Sequence, residues 1–418
     1  MGHPLCDLAP AYHAGRRPGI TSVCSAHPVV IEAALRHGLG TSEPVLIEAT
    51  CNQVNQDGGY TGMTPAAFRA FVLEIAARVG FPEERIILGG DHLGPNPWRH
   101  LPADDAMAKA ERMIAGFAAA GFSKLHLDTS MGCLGEPVAL TDDVTAERAA
   151  RLAVVAEACW AGDHAPVYVI GTEVPVPGGA TDGLDHLQIT DPASVGATFD
   201  IHQRAFALAG QSAAFSRVIA LVVQPGVEFG HAEVIHYAPE KARGLSAALT
   251  RLPGVVFEAH STDYQTEAGL RQLVADGFCI LKVGPWLTFA LREALYGLDA
   301  VADVLDGHPP RHQLMARMEA AMQAVPGHWA THYHGSAQEQ WLQRHFSYSD
   351  RIRYFWPDPG VETEVQYLRS RLAGRRIPAP LLGQYLPALS GVEGEDFDAL
   401  LLRSVERVLG VYQAAMRG

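Results

Sequence analysis

Lysine is almost missing from this chain. Of 32 basic residues only Lys109, Lys124, Lys241 and Lys282 are lysines, and the rest are arginines. None of the four follows a glycine, so the G-x-x-x-x-G-K-S/T phosphate loop is absent and P-loop kinase chemistry is excluded. No G-x-G-x-x-G follows a strand-like run, which removes the usual nicotinamide-binding signature. The six cysteines (Cys6, Cys24, Cys51, Cys133, Cys159, Cys279) form no C-x-x-C pair, which argues against a zinc knuckle or a disulfide framework and for a reducing compartment. No apolar run approaches the ~18 residues of a membrane span. The segment from Met1 to Gly19 lacks the apolar stretch of a secretory leader, so a soluble, cytoplasmic protein is expected. Positive charge is also in deficit. A formal charge of −14 argues against nucleic acid and anionic membrane as partners. An anionic substrate would need a metal or a few local cations to meet it.

What the chain does have is apolar surface, 48% of 418 residues, enough for a large core. Val- and Ile-rich runs at 19–25, 45–50, 86–92, 124–130, 167–173, 218–226, 255–261 and 280–285 alternate with helix-periodic stretches at 29–39, 64–79, 103–120, 141–159, 192–208, 239–250, 266–275 and 287–296. Eight strands alternating with eight helices predict an α/β fold, a (β/α)8 TIM-type barrel over residues 1–300. A doubly wound open sheet is the competitor. Polar residues at the ends of nearly every strand favour the barrel, whose C-terminal rim carries the chemistry. Thr64-Pro65, Thr141-Asp142-Asp143 and Asp191-Pro192 mark helix starts. Past residue 300 the alternation stops, and residues 301–418 read as a C-terminal helical extension that covers the mouth or forms an interface.

The densest signal is Arg85-Ile-Ile-Leu-Gly-Gly-Asp91-His92, an apolar strand that opens through two glycines onto an acid and an imidazole. Residues two apart in a strand share a face. On that basis His126 and Asp128 point together, as do Glu258 and His260, while Gln224 lies inward near the end of the sixth run. So many polar groups inside a barrel cost several kcal/mol unless bonded or ligating. His92 and His260, with Glu173 or Glu228, predict an open divalent-metal site of N and O ligands. Asp91, on the opposite parity from His92, is the expected general base or acid. His126 and Asp128 are read as polar support or substrate contacts. Lys282 and Gly284, after the eighth strand, predict a phosphate cradle assisted by Ser261 and Thr262. The arginines of Ser347–Arg353 offer a second place for an anion, although a solvated or subunit-facing segment explains them better.

Long stretches of the chain resemble the Z-type subunit family of tagatose-1,6-bisphosphate aldolase, from about Gly15 to the C-terminus. The likeness rests on Val23-Cys-Ser25-Ala-His-Pro28, Leu46-Ile-Glu-Ala-Thr50 with Asn52-Gln-Val54, Gly58–Pro65, Leu88–Trp98, Ile170–Gly179, Val222–Phe229, Phe257–Tyr264, Leu281–Pro285 and Ser347–Trp356. The resemblance implies a barrel related to class II ketose-bisphosphate aldolases. In those enzymes an Asp-His pair supplies base and zinc ligand, matched by Asp91-His92, and a later strand supplies another ligand, matched by His260. The aldolases place a further zinc histidine after the sixth strand, and Gln224-Pro-Gly-Val-Glu228 has none. The implied roles are then Asp91 and Glu173 as catalytic groups and His92, His260 and Glu228 around one divalent ion (Zn, or Ni, Co, Mn or Mg). Ser25, Asn52, Asp128, Gln224, Glu258, Ser261, Thr262, Lys282, Gly284 and Arg351 would contact a ketohexose phosphate. Two activities are implied: 4-epimerisation of fructose and tagatose 6-phosphates, or a non-catalytic subunit that supports a separate class II aldolase subunit. A homo-oligomer is also expected.

Overall fold

The computed structural model describes residues 2–171, 187–392, 394 and 396–417. In chain order it runs α1 (Leu8–His13), β1 (Ile20–Cys24), α2 (Pro28–Leu39), β2 (Val45–Thr50), α3 (Pro65–Val79), β3 (Ile86–Leu93), α4 (Ala103–Ala119), β4 (Lys124–Leu127), α5 (Asp142–Cys159) and β5 (Val167–Ile170). Then come α6 (Pro192–Leu208), the short α7 (Ser212–Phe215), β6 (Val218–Val222), a small hairpin of β7 (Glu228–Phe229) and β8 (Val234–Ile235), α8 (Pro239–Ala248), β9 (Val256–Ala259), α9 (Glu267–Ala275), β10 (Phe278–Val283) and α10 (Pro285–Leu305). Eight strands close into one barrel in the order β1-β10-β9-β6-β5-β4-β3-β2. The expected TIM-type architecture is borne out, and the hairpin stands outside the barrel sheet.

The helix starts follow local chemistry. Thr64 Oγ1 accepts the Ala67 N–H and an Asp191 carboxylate oxygen accepts the Ala193 N–H, each satisfying an orphan donor of the first turn. Several strands end earlier than the apolar runs do. The sixth stops at Val222, and shortly beyond it the Gln224 N–H leaves the ladder for Thr190 Oγ1 at 2.8 Å. Gln224 Oε1 instead accepts the N–H groups of Gly226 and Val227 and shapes the turn. The last barrel-following helix begins at Pro285 and continues to Leu305.

The third strand departs most from ideal alternation. Its pairing with β4 shifts register between Gly90 and Leu93, and His92 there has φ +50°. A bulge of this kind re-aims side chains at a barrel rim. It brings Asp91 and His92 to the same place, which corrects the opposite-parity expectation for the pair. Gly89 of the same strand is required by close approach: a Cβ there would lie 2.6 Å from Glu48 Cγ.

Beyond the barrel lie α11 (Gln313–Ala324), α12 (Ala337–Phe346), α13 (Pro359–Leu372), α14 (Ala379–Tyr385) and α15 (Phe397–Met416). The terminal helix packs on α2, α9 and α10. It thus lies between the helices that follow the first and seventh barrel strands, the seat an eighth outer helix would take. Leu400, Val405, Val408 and Tyr412 on α15 are buried.

Candidate active site

Beneath the mouth the barrel holds a lattice of charges rather than an apolar plug. Lys124 Nζ bridges Glu48 at 2.5 Å and Glu258 at 2.8 Å. Lys282 Nζ meets Glu48 at 2.7 Å, Glu258 at 3.2 Å and Asp91. Removing these groups from water is costly, and only mutual pairing offsets it. Burial pushes the Asp91 and Glu258 carboxyls up, but His92 and Lys282 beside Asp91, and Lys124 and Lys282 beside Glu258, outweigh it and hold both acids well below the usual range. Burial likewise opposes the Lys282 charge, and Asp91, Glu258 and Glu48 overcome it, keeping the ammonium well above its ordinary value. The expected phosphate-binding lysine is therefore a counter-ion to three carboxylates.

Above this lattice stand three imidazoles. The ring centres of His92, His126 and His260 lie 4.9, 5.0 and 5.3 Å apart, all edge to face. Each ring is anchored by an outer acceptor. His92 Nδ1 lies 2.9 Å from Asp128 Oδ2, His126 Nε2 is 3.0 Å from the Gly171 carbonyl, and His260 Nε2 is 3.0 Å from Glu258 Oε1. For His92 and His260 this is how metal-ligating histidines are oriented, with one nitrogen held from outside and the other turned inward, while Nδ1 of His126 accepts the His92 backbone N–H at 3.2 Å. Asp91 joins them: its Oδ1 is 2.9 Å from His126 Nδ1 and its Oδ2 is 3.6 Å from His92 Nε2. One donor atom from each of Asp91, His92, His126 and His260 falls within 4.8 Å of every other.

A divalent ion fits this set on charge as well as on geometry. Around the cluster four buried carboxylates, Glu48, Asp91, Asp128 and Glu258, face two buried ammoniums, Lys124 and Lys282. The excess is two negative charges. In the apo protein part of it is met by His92, where burial disfavours the imidazolium but Asp91 and Asp128 raise its pKa. His260 is the opposite case, since burial and Lys282 push it down to about 3 and keep it a neutral donor.

The cluster opens into a cavity of about 430 Å³ lined also by Asn52, Asp128, Ser261, Gly284 and Arg351. Asp91, His92, His260 and Lys282 reach the same cavity, so most of the expected site residues are brought together. Others are not. Glu228 sits on the hairpin, its Oε1 accepting its neighbour Phe229 N–H, outside the donor group it was expected to join; His126 takes that place. Glu258 lies beneath the histidines as the anchor of His260. Thr262 Oγ1 donates to the Lys282 carbonyl and meets Tyr412, and Gln224 is spent on its turn. Ser25 Oγ accepts the His27 N–H and lines a neighbouring cavity of about 360 Å³ between barrel and extension. Glu173 lies outside the described residues. Strand parity placed His126 beside Asp128 as polar support without giving it the donor role, and the role of Glu48 as partner of Lys124 and Lys282 was missed.

A family model for the D-tagatose-1,6-bisphosphate aldolase subunit GatZ/KbaZ-like proteins matches residues 5–417. The chain belongs to that family. A GatZ/KbaZ-like relative from Agrobacterium fabrum, named D-tagatose 6-phosphate 4-epimerase, is 54% identical over 415 residues, 98% of each chain. The crystal structure of a protein from Sinorhizobium meliloti 1021, titled a probable tagatose 6 phosphate kinase, is 56% identical, covers 95% of this chain and all of its own, and superposes with a TM-score of 0.88. The fructuronate-tagaturonate epimerase UxaE from Cohnella laeviribosi is only 12% identical over 95% of this chain and 81% of its own, and its TM-score of 0.51 speaks for a shared fold alone.

Proposed function

We propose that this GatZ/KbaZ-like chain is an enzyme that interconverts fructose 6-phosphate and tagatose 6-phosphate by inverting carbon 4. The observation that carries it is the cluster of three anchored imidazoles and Asp91 at an open cavity, in a chain 54% identical, end to end, to a protein named for that reaction. The Sinorhizobium relative carries a kinase name, and kinase chemistry of the P-loop type is excluded for this chain, which has no G-x-x-x-x-G-K-S/T.

Inversion by a retro-aldol route needs three things of the protein. The C4 hydroxyl must lose its proton while the C3–C4 bond breaks and its electron pair moves toward the C2 carbonyl. The aldehyde so released must turn over and stay bound, and the bond must then re-form on its other face. His92, His126 and His260, grouped with Asp91, would hold a divalent ion, which when bound would supply Lewis acidity to polarise oxygen and ease hydroxyl deprotonation. Asp91 Oδ1 is fixed by Lys282 and His126, which leaves Oδ2 to exchange the C4 hydroxyl proton. Lys282 keeps that carboxylate ionised and in place. Asp128 orients His92, and Glu258 orients His260.

A second reading is favoured by the family's description as an aldolase subunit: a barrel that supports a separate catalytic partner. One assay separates the two. The purified chain alone, given fructose 6-phosphate, should form tagatose 6-phosphate, and chelation should stop it. Absence of turnover with Zn, Ni, Co, Mn and Mg alike would sink the epimerase reading. An aldolase subunit that gains activity or heat stability only when this chain is added would then establish the other.

A further inference from the structure

The usual phosphate cradle of such barrels, backbone N–H groups at the start of the helix after the eighth strand, is already filled. The N–H groups of Gly284 and Trp286 both donate to Asp263 Oδ1, at 3.0 and 2.8 Å. Asp263 is buried and lines the cavity. A phosphate approaching that loop meets a carboxylate, and Lys282 beside it is engaged by three more.

Cations without carboxylate partners lie on another wall. Arg351 and Arg353, from the C-terminal extension, line the cavity, and neither makes an ion pair with a carboxylate among the described residues. They flank one ring, with guanidinium carbons 5.1 and 4.7 Å from the centre of Tyr354. Burial and the neighbouring Arg353 both disfavour the Arg351 charge, whereas at Arg353 burial is outweighed by Tyr354 and Asp350; an anion between them would relieve the cost at Arg351. Their hydrogen bonds leave room for one. The Arg351 side chain donates from Nε to the His328 carbonyl, and Arg353 donates to the carbonyls of Ser349 and Asp350 and to the Tyr354 hydroxyl. The segment itself is bolted to the barrel: Asp350, at φ +46°, accepts from Thr288 Oγ1 at 2.6 Å and from Arg292 Nε at 2.9 Å.

We propose that Arg351 and Arg353 form the phosphate subsite of the active cavity and that Asp263, by closing the backbone cradle, restricts the site to ketoses with a single phosphate. The inference rests on the epimerase reading and deepens it. In a C4 inversion by bond cleavage the 6-phosphate travels with the three-carbon aldehyde. The arginine pair holds the fragment that must turn without escaping, and a 1-phosphate at the strand-eight loop meets the Asp263 carboxylate that occupies the backbone N–H groups.

The test is calorimetric titration of the metal-loaded full chain with inorganic phosphate, fructose 6-phosphate and fructose 1,6-bisphosphate, with acetate as a carboxylate control. Phosphate and fructose 6-phosphate are expected to bind and acetate to bind far more weakly. Arg351→Gln and Arg353→Gln should each weaken phosphate by roughly 30-fold or more, the scale for removing one partner of a desolvated charge pair. Arg353→Lys should recover part of the loss, and unchanged near-UV dichroism shows that the variants fold. The wild type should prefer the monophosphate, and Asp263→Asn should narrow that preference. Arginine variants that bind phosphate as the wild type does, a wild type that binds no phosphate, or equal affinity for bisphosphate would each overturn the proposal. A chain that binds phosphate through these arginines yet turns over no ketose would fail the epimerase reading alone.

Discussion

Lys282 shows how a residue's meaning changes when its neighbours are known. A scarce lysine at the end of the eighth strand reads as a phosphate ligand, yet the closed barrel places Glu48, Glu258 and Asp91 around it. Those partners come from three other strands, so their convergence could not be read along one stretch of chain. Lys282→Met strands three carboxylates in the interior. It is expected to cost about 3–5 kcal/mol in urea unfolding, the penalty for breaking a buried pair from one side; a loss confined to substrate affinity would restore the phosphate-ligand role. Glu228 gives the opposite electrostatic case. Burial lifts its carboxyl from the usual 4.5 to about 7, with the Phe229 N–H and Ser261 only partly opposing it. Between those values the folded chain keeps a proton that the unfolded chain has lost, so stability falls as pH rises through that window. The penalty on the ionised form is about 3 kcal/mol. Glu228→Gln should therefore melt close to the wild type near pH 4.5 and at a progressively higher temperature as the buffer approaches pH 7.5. A pH-independent difference would show that Glu228 does not titrate there.

At the level of elements, apolar runs and cap chemistry located the barrel strands and their helices, because both depend on residues within a few positions of each other. Thr64 and Asp191 cap the helices they precede, and the run from Val45 to Thr50 is a strand at those bounds. What local pattern could not carry is the bulge in β3, which is set by pairing with β4 and which brings Asp91 and His92 together. Nor could it reveal the seat of α15. That helix covers α2 and α9, and its Tyr412 hydroxyl donates to the Thr262 carbonyl at 2.8 Å, in the loop between His260 and Asp263. The extension thus reaches the active rim twice, through Tyr412 and through the arginine segment. A chain cut after residue 305 leaves the apolar faces of α2 and α9 bare. It should lack both a sharp thermal transition and near-UV dichroism; a cooperative melt from that fragment would show that the barrel closes without α15.

For the molecule as a whole, a formal charge of −14 means that an anionic substrate needs a metal or a few local cations to meet it, and the interior adds a separate reason for a metal. Four carboxylates and two ammoniums share a small volume at the base of the cavity. Buried like charges destabilise the compact state unless something neutralises them. Within the cluster the imidazoles can offset part of the excess, and His260, held near 3, contributes little. A divalent ion held by His92, His126 and His260 beside Asp91 would balance the excess, and the whole fold would gain through linkage. At a free metal concentration one hundred times the dissociation constant that gain is about 2.7 kcal/mol. Chelation should then lower the melting temperature by a few degrees without altering far-UV dichroism, and adding back a divalent ion should restore it. His92→Ala, which removes one donor and leaves the core intact, should melt at the same temperature with or without chelator. If the wild type itself ignores chelation, or if the alanine variant responds as the wild type does, the cluster is a satisfied polar core and not a metal centre.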